Sequence, residues 1–576
     1  MIRNNATSEI FSGIAENNKN ATAMERIINI LCKNNGETIE MPLGSTVFEA
    51  YEALGVKMEH GAACAEVNNT VRSLNYVLFS NCDVKFLDIT SPSGMRTYTR
   101  SLFFILCKAA GDLFPGVSVR IDTPVSNGYY CRIIKNEEIT EKEVAELEKR
   151  MREIVSADIP FRKIKAHTAD VAKRFREAGM ESKAKLIEST GSLYSCYYML
   201  GDTLDYYYGA LLRSTGSVWL FGIEKYHDGV LLRLPDASNP SQLKAKTKQE
   251  KMFGVFNENH QWQGIMGLNT IGDLNEMLSK GLENLAINVS EALQEKKISN
   301  IAEQIAKHKE VKVVLISGPS SSGKTTFSKR LSVQLAACGL KPYPISMDDY
   351  FVDREKTPKG PDGEYDFESV YALNIPLLSH DLENLIAGNE VELPRYNFHT
   401  GKSEKSGVHL KVDNNMILVI EGIHALNPEL TKQINEKNKF RVYVSALTSI
   451  LLDDHNYIPT TDNRLLRRIV RDYKYRGYSA QETIRRWSSV RAGEEKWIFP
   501  YQENADVMFN SALLFELAAL KNQALPLLQQ VGENEEEHSE AHRLAKFLSY
   551  IKPIPIEGLP PTSLLREFLG GSTFHY

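Results

Sequence analysis

Apolar and polar positions in the first part of this chain form short runs that are interrupted by turns. IINILCKNNGETIEMPLG predicts two strands around the turn Asn34-Asn35-Gly36. STVFEAYEALGV predicts a helix with Ser45 as its N-cap and with its end at Gly55. Further strands are predicted for CAEVNNTVRSLNYVL and CDVKFLDI. This order of elements predicts a compact β-grasp-like domain over residues 25–90.

Residues 91–265 mix helical and strand patterns. SLFFILCKAAGDLF carries an apolar helical face that ends before Pro115, and EKEVAELEKRMREIV predicts a strongly charged helix. We therefore expect an α+β module here. Residues 266–310, which include KISNIAEQIAKHKE, are predicted to form a helical linker. The polar, Asn-rich residues 1–24 are typical of a flexible tail.

From Val311 onward, strands and helices alternate. The first strand of this series is the buried run VKVVLIS, and the alternation continues to about residue 510. Such a pattern predicts an α/β domain over residues 311–515, with a mostly parallel sheet and helices on both faces. NSALLFELAALKNQALPLL and the acidic run ENEEEHSE predict a C-terminal helical extension over residues 516–576, with the acidic run as a solvated turn.

Composition narrows the class of protein. A length of 576 residues predicts about four domains, or three with long connections. Hydrophobic residues at 42% and charged residues at 24% are typical of a folded chain, and argue against a fibrous or largely disordered one. The net charge of −5 excludes an overall basic field for nucleic acid.

Cysteine usage and the absence of long apolar runs predict the cellular compartment. The seven cysteines are odd in number and scattered without a CxxC pair, so we expect reduced and mostly buried thiols. The N-terminal residues lack an apolar core, and no run of about 18 apolar residues occurs. These observations predict a cytoplasmic protein without a membrane partner.

The strongest chemical signal is a glycine-rich loop between a strand and a helix. It fits GxxxxGK[ST], with VVLIS before it and FSKRLSVQLAACG after it. Backbone N–H groups of such a loop surround phosphate oxygens at a helix N-terminus. Lys324 can neutralise charge on a transferred phosphoryl group, and the Thr325 hydroxyl can hold Mg²⁺. The residues predicted to bind a nucleoside triphosphate are Gly318, Pro319, Ser320, Ser321, Ser322, Gly323, Lys324, Thr325 and Thr326.

Acidic residues follow two later strands. PISMDDYF ends an apolar-edged strand in Asp348 and Asp349, where ligands bind in such sheets. One of these carboxylates could accept a proton from a substrate hydroxyl or bind Mg²⁺, and an Asp-rich turn is the alternative. MILVIEGIHAL ends a further buried strand at Glu421, within reach of the Mg²⁺ shell. A GTPase is disfavoured, because the string nearest to NKxD is Asn438-Lys439-Phe440-Arg441, which lacks the aspartate.

One helical stretch, RLLRRIVRDYKYRG, carries arginines along a single face. Like charges at this spacing repel one another by about 0.2–0.5 kcal/mol per pair, and a nearby anion would reverse that sign. The face is therefore either a lid that closes over a triphosphate or a solvated basic surface. Its arginines are Arg464, Arg467, Arg468 and Arg471, and Leu465, Leu466, Ile469 and Tyr473 are predicted on the opposite side.

Together, these motifs resemble the uridine kinase and phosphoribulokinase family. They occur in the order GPSSSGKTT, SMDDYF, YDFESVYAL, LPRYNF, VIEGIHAL, TDNRLLRRIVRDYKYRG and NADVMF. The resemblance implies an ATP- and Mg²⁺-dependent kinase with Asp348 as general base and Lys324 as a second catalytic residue. For the remaining roles it implies Mg²⁺ contacts at Thr325, Glu421 and Asp348, nucleoside contacts at Asp366, Tyr396 and Arg464, and lid or phosphate contacts at Arg467, Arg468 and Arg471.

One position departs from that family's pattern. Uridine kinases usually continue the LPRYNF stretch into a histidine that helps to read the base, whereas Gly401 stands there and His399 lies two positions earlier. The resemblance implies transfer of the ATP γ-phosphate to the 5′-hydroxyl of uridine or cytidine, a reaction of pyrimidine salvage. Because of Gly401, a kinase for another hydroxyl acceptor, such as a sugar phosphate, is the alternative.

The first half resembles parts of threonyl-tRNA synthetases. GETIEMPLGSTVFEAYEALG and the strands after it look like the TGS domain, and SLFFILCKAAGDLFPGVSVRIDTPVSNGYYCRI is similar to the second additional, editing domain. In that family two histidines and a Cys/His pair form a zinc-capable editing site. The matching positions hold Arg100, Phe104, Tyr207 and Leu211, none of which is a good zinc ligand, so we expect editing to be lost and no structural zinc.

That resemblance leaves several options open for the first half. RNA is a predicted partner through the TGS-like domain, which allows an RNA-binding, nucleotide-gated regulatory ATPase as a further alternative. Homo-oligomerisation is also an option. The aromatic residues of LDYYYGAL either stack on bases or form a packed core.

Overall fold

The computed structural model describes residues 26–360 and 363–575, and the predicted flexible tail over residues 1–24 lies outside them. Within the described residues, the chain forms three successive parts that contain β-sheets, joined and covered by helices. No helix in these ranges is long and apolar enough to cross a membrane.

The first part is a five-stranded sheet with one helix packed on it. Its elements are β1 (Ile27–Cys32), β2 (Thr38–Pro42), α1 (Val47–Leu54), β3 (Cys64–Val67), β4 (Thr70–Arg72) and β5 (Cys82–Leu87). The strand order is β2-β1-β5-β3-β4, in which β1 and β5 are parallel and the other neighbours antiparallel. Ile28 and Ile30 of β1 share a buried core with Val47 and Ala50 of α1. The predicted β-grasp-like domain is confirmed.

Helix α1 begins one residue later than predicted. Its N-cap is Thr46, whose hydroxyl accepts a hydrogen bond from the N–H of Glu49, while the Glu49 carboxylate accepts one from the N–H of Thr46. The predicted N-cap at Ser45 is wrong, because this reciprocal pair of bonds needs an acidic residue three positions after the cap. The predicted end at Gly55 is confirmed, where a φ of 58° favours glycine.

The second part is an α+β module built around a buried helix. Every residue from Ser101 to Ala110 is buried, so this helix is enclosed on all sides rather than along the single apolar face that the pattern predicts. Two antiparallel sheets, of four and three strands, and a small β-hairpin surround it. The elements are α2 (Pro92–Leu113), β6 (Ser118–Val125), β7 (Gly128–Ile134), α3 (Glu141–Ser156), β8 (Phe161–His167), α4 (Thr168–Glu177), α5 (Glu181–Glu188), β9 (Tyr194–Leu200), β10 (Thr203–Asp205), β11 (Gly222–Tyr226), β12 (Gly229–Arg233), β13 (Pro235–Asp236) and β14 (Asn239–Leu243).

Three helices and a parallel sheet follow. The strand order is β16-β19-β15-β20-β21, all parallel, with helices on both faces, which confirms the predicted α/β domain. The helices and strands are α6 (Glu250–Met266), α7 (Ile271–Ser279), α8 (Glu283–Lys307), β15 (Val313–Ser317), α9 (Lys324–Ala337), β16 (Lys341–Ser346), α10 (Ile375–Ile386), β17 (Glu390–Asn397), β18 (Lys402–Lys411), β19 (Met416–Glu421), β20 (Lys439–Ser445), α11 (Thr460–Arg476), α12 (Ala480–Trp497), β21 (Val507–Asn510), α13 (Glu516–Gln529), α14 (His538–Ser549) and α15 (Arg566–Leu569).

The helices that flank the parallel sheet belong to its hydrophobic core. Ile301 of α8, Phe327 of α9, Leu465 of α11 and Leu520 of α13 lie in one continuous buried cluster. The segment that the sequence predicts as a linker and the C-terminal extension therefore pack against the α/β domain. This packing matters for function, because α11 and α15 both reach the glycine-rich loop, as described below.

The loop before α11 is anchored in the second part by buried ion pairs. Lys183 of α5 is 1% exposed and contacts Asp205 at 2.7 Å and Asp453 of the loop at 2.8 Å. The ring of His455 bonds to the second carboxylate oxygen of Asp205 at 2.8 Å. Removing one member of such a network leaves a buried charge without its partner, which is costly. The second part and the α/β domain are thus held together by a buried network in which each supplies partners for the charges of the other.

Candidate active site

The glycine-rich loop connects β15 to α9, as the motif predicts. A Cβ at Gly318 would lie 1.9 Å from the carbonyl oxygen of Val444, so only glycine fits there. Gly323 has a φ of 84° and directly precedes α9. The hydroxyls of Ser321 and Ser322 are buried and find no hydrogen-bonding partner in the part of the chain that the structure describes. Buried hydroxyls in such a loop are suited to a polar ligand such as phosphate.

The structure brings together the charged residues predicted around the phosphate. Lys324 begins α9, and its ammonium donates to the carbonyl of Pro319 at 3.3 Å. The Thr325 hydroxyl donates to Glu421 at the end of β19 at 3.2 Å. Asp348 lies in the short 3-10 turn that follows β16 and interacts electrostatically with both Lys324 and Glu421. Residues from three adjacent strand ends therefore meet at one edge of the sheet.

Burial controls the protonation of this cluster. It raises the pKa of Glu421 to about 7, against the opposing charge of Lys324. Burial also raises the pKa of Asp348, and Lys324 again opposes the shift. The pKa of Lys324 itself is lowered by burial. A carboxylate with a raised pKa is a better proton acceptor than an ordinary carboxylate, which is the property that a general base needs.

The oxygen donors at this edge fit Mg²⁺. Thr325 supplies a hydroxyl and Glu421 a carboxylate within hydrogen-bonding distance of each other, and Asp348 supplies a second carboxylate near them. Mg²⁺ prefers oxygen ligands and usually takes few of them from the protein. A bound cation would oppose the effect of burial on the pKa of Glu421, because positive charge favours the ionised carboxylate, as the charge of Lys324 already does.

Two of the four arginines on α11 are buried ion-pair partners beneath the loop. Arg464 is 1% exposed and bonded to Glu494 of α12, and its Nε donates to the Ser320 carbonyl at 2.9 Å. Arg467 is fully buried and donates to Glu516 at 2.6 Å and 2.7 Å. The interpretation of this face as a solvated surface is therefore wrong for both residues.

The other two arginines are less deeply buried. Arg468 donates to the Ser320 hydroxyl at 2.8 Å. Arg471 is bonded to Asp472, and its charge acts on Asp348, as does that of Arg476, which sequence reasoning missed. On the opposite side of α11, Leu465, Leu466 and Ile469 are buried as predicted, whereas Tyr473 is 52% exposed.

The predicted nucleoside residues do not form one cluster with Arg464. Tyr396 of β17 is 3% exposed and packs on Phe351 and Phe398, and its hydroxyl is buried without a partner among the described residues. Its backbone N–H donates to Asp349 at 3.4 Å, so Tyr396 is near the 3-10 turn that carries Asp348. Asp366 lies in a loop, and its backbone N–H donates a hydrogen bond to the carbonyl of Pro358. The contacts of Arg464 are with the loop and α12 instead.

Gly401 occupies the tight turn between β17 and β18. Its φ is 70°, and a Cβ there would lie 2.8 Å from Nε of Arg354, so a side chain would be strained and would collide. The Arg354 guanidinium fills this space and donates to the Phe398 carbonyl at 2.6 Å. His399 is exposed. The uridine kinase pattern predicts a histidine at position 401, and in this chain the side chain of Arg354, from a neighbouring loop, lies against that position.

Comparison with known proteins settles the family of this domain. Residues 313–514 match the Phosphoribulokinase / Uridine kinase family. These residues form a kinase domain of that family. Among solved structures, a possible uridine kinase from Bacillus stearothermophilus is 21% identical and covers 37% of this chain and 100% of its own, with a TM-score of 0.25. D-glycerate 3-kinase from Cryptococcus neoformans var. grubii is 14% identical and covers 36% and 89%, with a TM-score of 0.27.

The N-terminal part is similar to threonine–tRNA ligases. The ligase of Pelagibacter ubique (strain HTCC1062) is 31% identical over 186 residues, which are 32% of this chain and 29% of that enzyme. The ligase of Phenylobacterium zucineum (strain HLK1) is 30% identical over 155 residues, or 27% and 24% of the two chains. The chain thus spans less than a third of the length of these relatives.

Two carboxylates that sequence reasoning missed bind the loop of the kinase domain. Glu494 accepts a hydrogen bond from the N–H of Ser320 at 3.2 Å. Glu567 of α15 accepts hydrogen bonds from the N–H of Thr326 at 3.2 Å and from its hydroxyl at 2.7 Å. Both carboxylates bond to N–H groups that a loop of this type offers to phosphate. No sequence motif marks them, because each comes from a helix distant in the chain.

The four positions that match the synthetase editing site are part of the packed module. Phe104 and Leu211 are fully buried, and Tyr207 is 3% exposed with its ring 5.7 Å from that of Phe104. Tyr206 and Tyr208 are also buried, so the core interpretation of LDYYYGAL is confirmed. Arg100 lies over the ring of Tyr208 at 4.8 Å.

One other group in the described ranges has the composition of a metal site. Cys107, Asp205 and His455 are all buried, and their ligand atoms lie within 4.8 Å of one another. Asp205 is already bonded to Lys183 and to the ring of His455, which supply the opposite charge that this carboxylate needs. A cation would have to displace the ammonium of Lys183. Absence of structural zinc remains a prediction that metal analysis of the purified protein would test.

Proposed function

We propose that this protein is an ATP- and Mg²⁺-dependent kinase that transfers the γ-phosphate to the 5′-hydroxyl of a pyrimidine nucleoside. The observation that carries the proposal is the meeting of Lys324, Thr325, Glu421 and Asp348 at one edge of the parallel sheet, beside a complete phosphate-binding loop. A kinase needs a phosphate cradle, a cation at the γ-phosphate and a base for the hydroxyl, and these residues supply each of them.

In this proposal the residues of the site divide the chemical tasks among them, and Asp348 has two. Backbone N–H groups of the loop orient the triphosphate, and Lys324 neutralises charge on the phosphoryl group as it is transferred. Asp348 accepts the proton of the attacking hydroxyl, and its raised pKa makes it a better proton acceptor than an ordinary aspartate. Arg468 and Arg471 are the lid or phosphate contacts, whereas Arg464 and Arg467 hold α11 against the loop.

Thr325, Glu421 and Asp348 are the residues that would hold Mg²⁺, which supplies charge neutralisation for the phosphates when bound. The proposed contacts of the acceptor are Asp366 and Tyr396, whose buried hydroxyl has no partner among the described residues. We also propose a cytoplasmic location and an RNA partner, and neither of these proposals depends on the kinase function.

A phosphorylated sugar is the second candidate acceptor. It is favoured by Arg354, whose guanidinium fills the place in which uridine kinases carry a histidine. A guanidinium suits a phosphate group better than it suits a pyrimidine ring, because it can form paired charge-assisted hydrogen bonds with phosphate oxygens.

A panel of acceptors separates the two candidates. ADP release from ATP is measured with uridine, cytidine, other nucleosides and sugar phosphates, each with and without added tRNA. Turnover with uridine or cytidine supports the proposal, and turnover with sugar phosphates alone supports the second candidate. ATP hydrolysis that needs no small acceptor and that tRNA stimulates would instead show a regulatory ATPase.

Exchange of Glu567 for glutamine is expected to tighten ATP binding about 10-fold. The Glu567 carboxylate accepts hydrogen bonds from Thr326, so it competes with a polyphosphate for the loop and also repels its negative charge. Glutamine removes the negative charge and keeps the size of the side chain. Titration with a fluorescent ATP analogue without acceptor measures this. Glu557→Gln, on an exposed position of the same C-terminal segment, is the matched control. Weaker binding by the Glu567→Gln variant would mean that the carboxylate helps to hold the nucleotide.

A further inference from the structure

Four basic side chains converge where the β-grasp domain, the second module and the C-terminal extension meet. Arg72 ends β4, Arg100 lies in α2, Lys163 lies in β8 and Lys546 lies in α14. Within residues 26–360 and 363–575, none of them has a carboxylate at ion-pairing distance. The protein as a whole carries a net charge of −5, so this local excess of positive charge is not a consequence of composition.

Tyr208 and Gly209 form the floor on which two of these cations lie. The Arg100 guanidinium carbon is 4.8 Å from the centre of the Tyr208 ring. The ammonium of Lys546 donates to the carbonyl of Tyr208 at 2.7 Å. A Cβ at residue 209 would lie 2.2 Å from Nη1 of Arg100, so glycine is what allows the guanidinium to lie against the backbone. Arg100 and Lys546 are therefore held side by side although their charges repel.

The other two cations approach the same floor from its sides. The ammonium of Lys163 is 5.9 Å from the ring of Tyr198, and the Tyr198 hydroxyl donates to the Gly209 carbonyl at 3.2 Å. Arg72 lies over Tyr76 at 4.9 Å, on the strand against which α14 packs. Aromatic faces thus support the cations without neutralising them.

Neighbouring arginines on the same two helices are neutralised. Arg96 of α2 contacts Glu540 of α14 at 3.1 Å, and Arg543 of α14 contacts Glu540 and Asp462. One turn further along each helix, Arg100 and Lys546 have no such partner in the described part of the chain. Carboxylates therefore neutralise the arginines that join α2 to α14, whereas the described residues place none beside Arg100 and Lys546.

The cations of this cluster lower the pKa values of Lys546 and His542. Burial and the charges of Lys163, Arg100 and Arg72 lower the pKa of Lys546 to about 8, although its side chain reaches solvent. The pKa of His542, one turn before it, is lowered by burial and by nearby cations that include Arg72 and Lys546. A bound anion would turn this repulsion into attraction.

We propose that this group of four cations, which we call the basic site, binds a small ligand that carries phosphate groups. Two arginines can form paired hydrogen bonds with phosphate oxygens, and two lysines add point charges. The four cations converge on one place and are bordered by Glu540, whereas binding to an RNA backbone needs cations spread along a stripe. This site lies apart from the kinase loop, and the inference does not depend on the proposed kinase reaction.

Isothermal titration of the full-length protein with inorganic pyrophosphate tests the proposal. The loop of the kinase domain is the other proposed phosphate site, so the titration is repeated with Lys324→Met, which should leave the binding to the basic site. In that background, Arg100→Gln and Lys546→Met are each expected to weaken pyrophosphate binding about 10-fold or more, because each removes a charge-assisted contact. Lys149→Met, an exposed lysine of α3, is the matched control and should change nothing.

Charge-conserving variants separate binding from folding. Arg100→Lys and Lys546→Arg should retain most of the affinity, while thermal unfolding confirms that all variants are folded. Equal pyrophosphate affinity in the Arg100→Gln, Lys546→Met and parent proteins would overturn the proposal. So would binding of a short RNA that depends on Arg100 and Lys546 when pyrophosphate does not bind.

Discussion

Replacing Asp348 by asparagine is expected to lower the turnover number of the kinase by about 10²–10⁴-fold, the range for loss of a general base. Asparagine keeps the size of the side chain but cannot accept the proton of the attacking hydroxyl. ATP affinity should change little, because the loop and Lys324 remain in place. The measurements are ADP release with the preferred acceptor and titration with an ATP analogue.

The neighbouring Asp349 provides the control for this experiment. It lies in the same turn, and its carboxylate accepts a hydrogen bond from the N–H of Tyr396. Asp349→Asn should therefore act mainly on acceptor affinity and leave most of the turnover number. A large loss of turnover in Asp349→Asn, with near-normal turnover in Asp348→Asn, would assign the base to the other aspartate.

Replacing Arg467 by alanine is expected to lower the free energy of unfolding by about 3–5 kcal/mol, since Glu516 would stay buried without its cation. Glu516 is 1% exposed and accepts two hydrogen bonds from Arg467, which also donates to the Ser511 carbonyl at 3.0 Å. Urea unfolding followed by circular dichroism and by intrinsic fluorescence measures the change and shows whether the α/β domain unfolds with its C-terminal helices.

Arg471 serves as the contrasting variant on the same helix. Its partner Asp472 keeps Arg468 and Arg476 when Arg471 is removed, so the loss of stability should stay below about 1 kcal/mol. Turnover should fall, because Arg471 is a proposed phosphate contact near Asp348. If Arg467→Ala were as stable as the parent protein and lost only turnover, Arg467 would belong to a mobile lid.

The sequence predicted those parts of the protein that depend on neighbours in the chain. A strand, a glycine-rich loop and a helix in succession determine the phosphate cradle, because backbone geometry and helix polarity are local properties. The same reasoning located Asp348 and Glu421 at strand ends, where parallel strands of one sheet meet. The error at Ser45 was also local, and it came from overlooking the Thr46–Glu49 capping pair.

Partners distant in the chain could be found only in the folded molecule. Whether an arginine on α11 faces a ligand or a buried glutamate depends on the glutamates of α12 and α13. The glutamate that pairs with Arg467 lies 49 residues further along the chain. The carboxylate of Glu567 on the loop, 241 residues from Thr326, leaves no pattern in the sequence. The basic site leaves no pattern either, because its four cations come from three separate parts of the chain.

The sequence by itself thus determined the chemistry of the phosphate site and the classes of domain, since these follow from residue type and spacing. Tertiary structure decided which charges are neutralised and which are not, because ion pairs form between side chains that only packing brings together. For this protein, that difference separates Arg464 and Arg467, whose charges are neutralised by buried glutamates, from Arg100 and Lys546, which have no ion-pair partner among the residues that the structure describes.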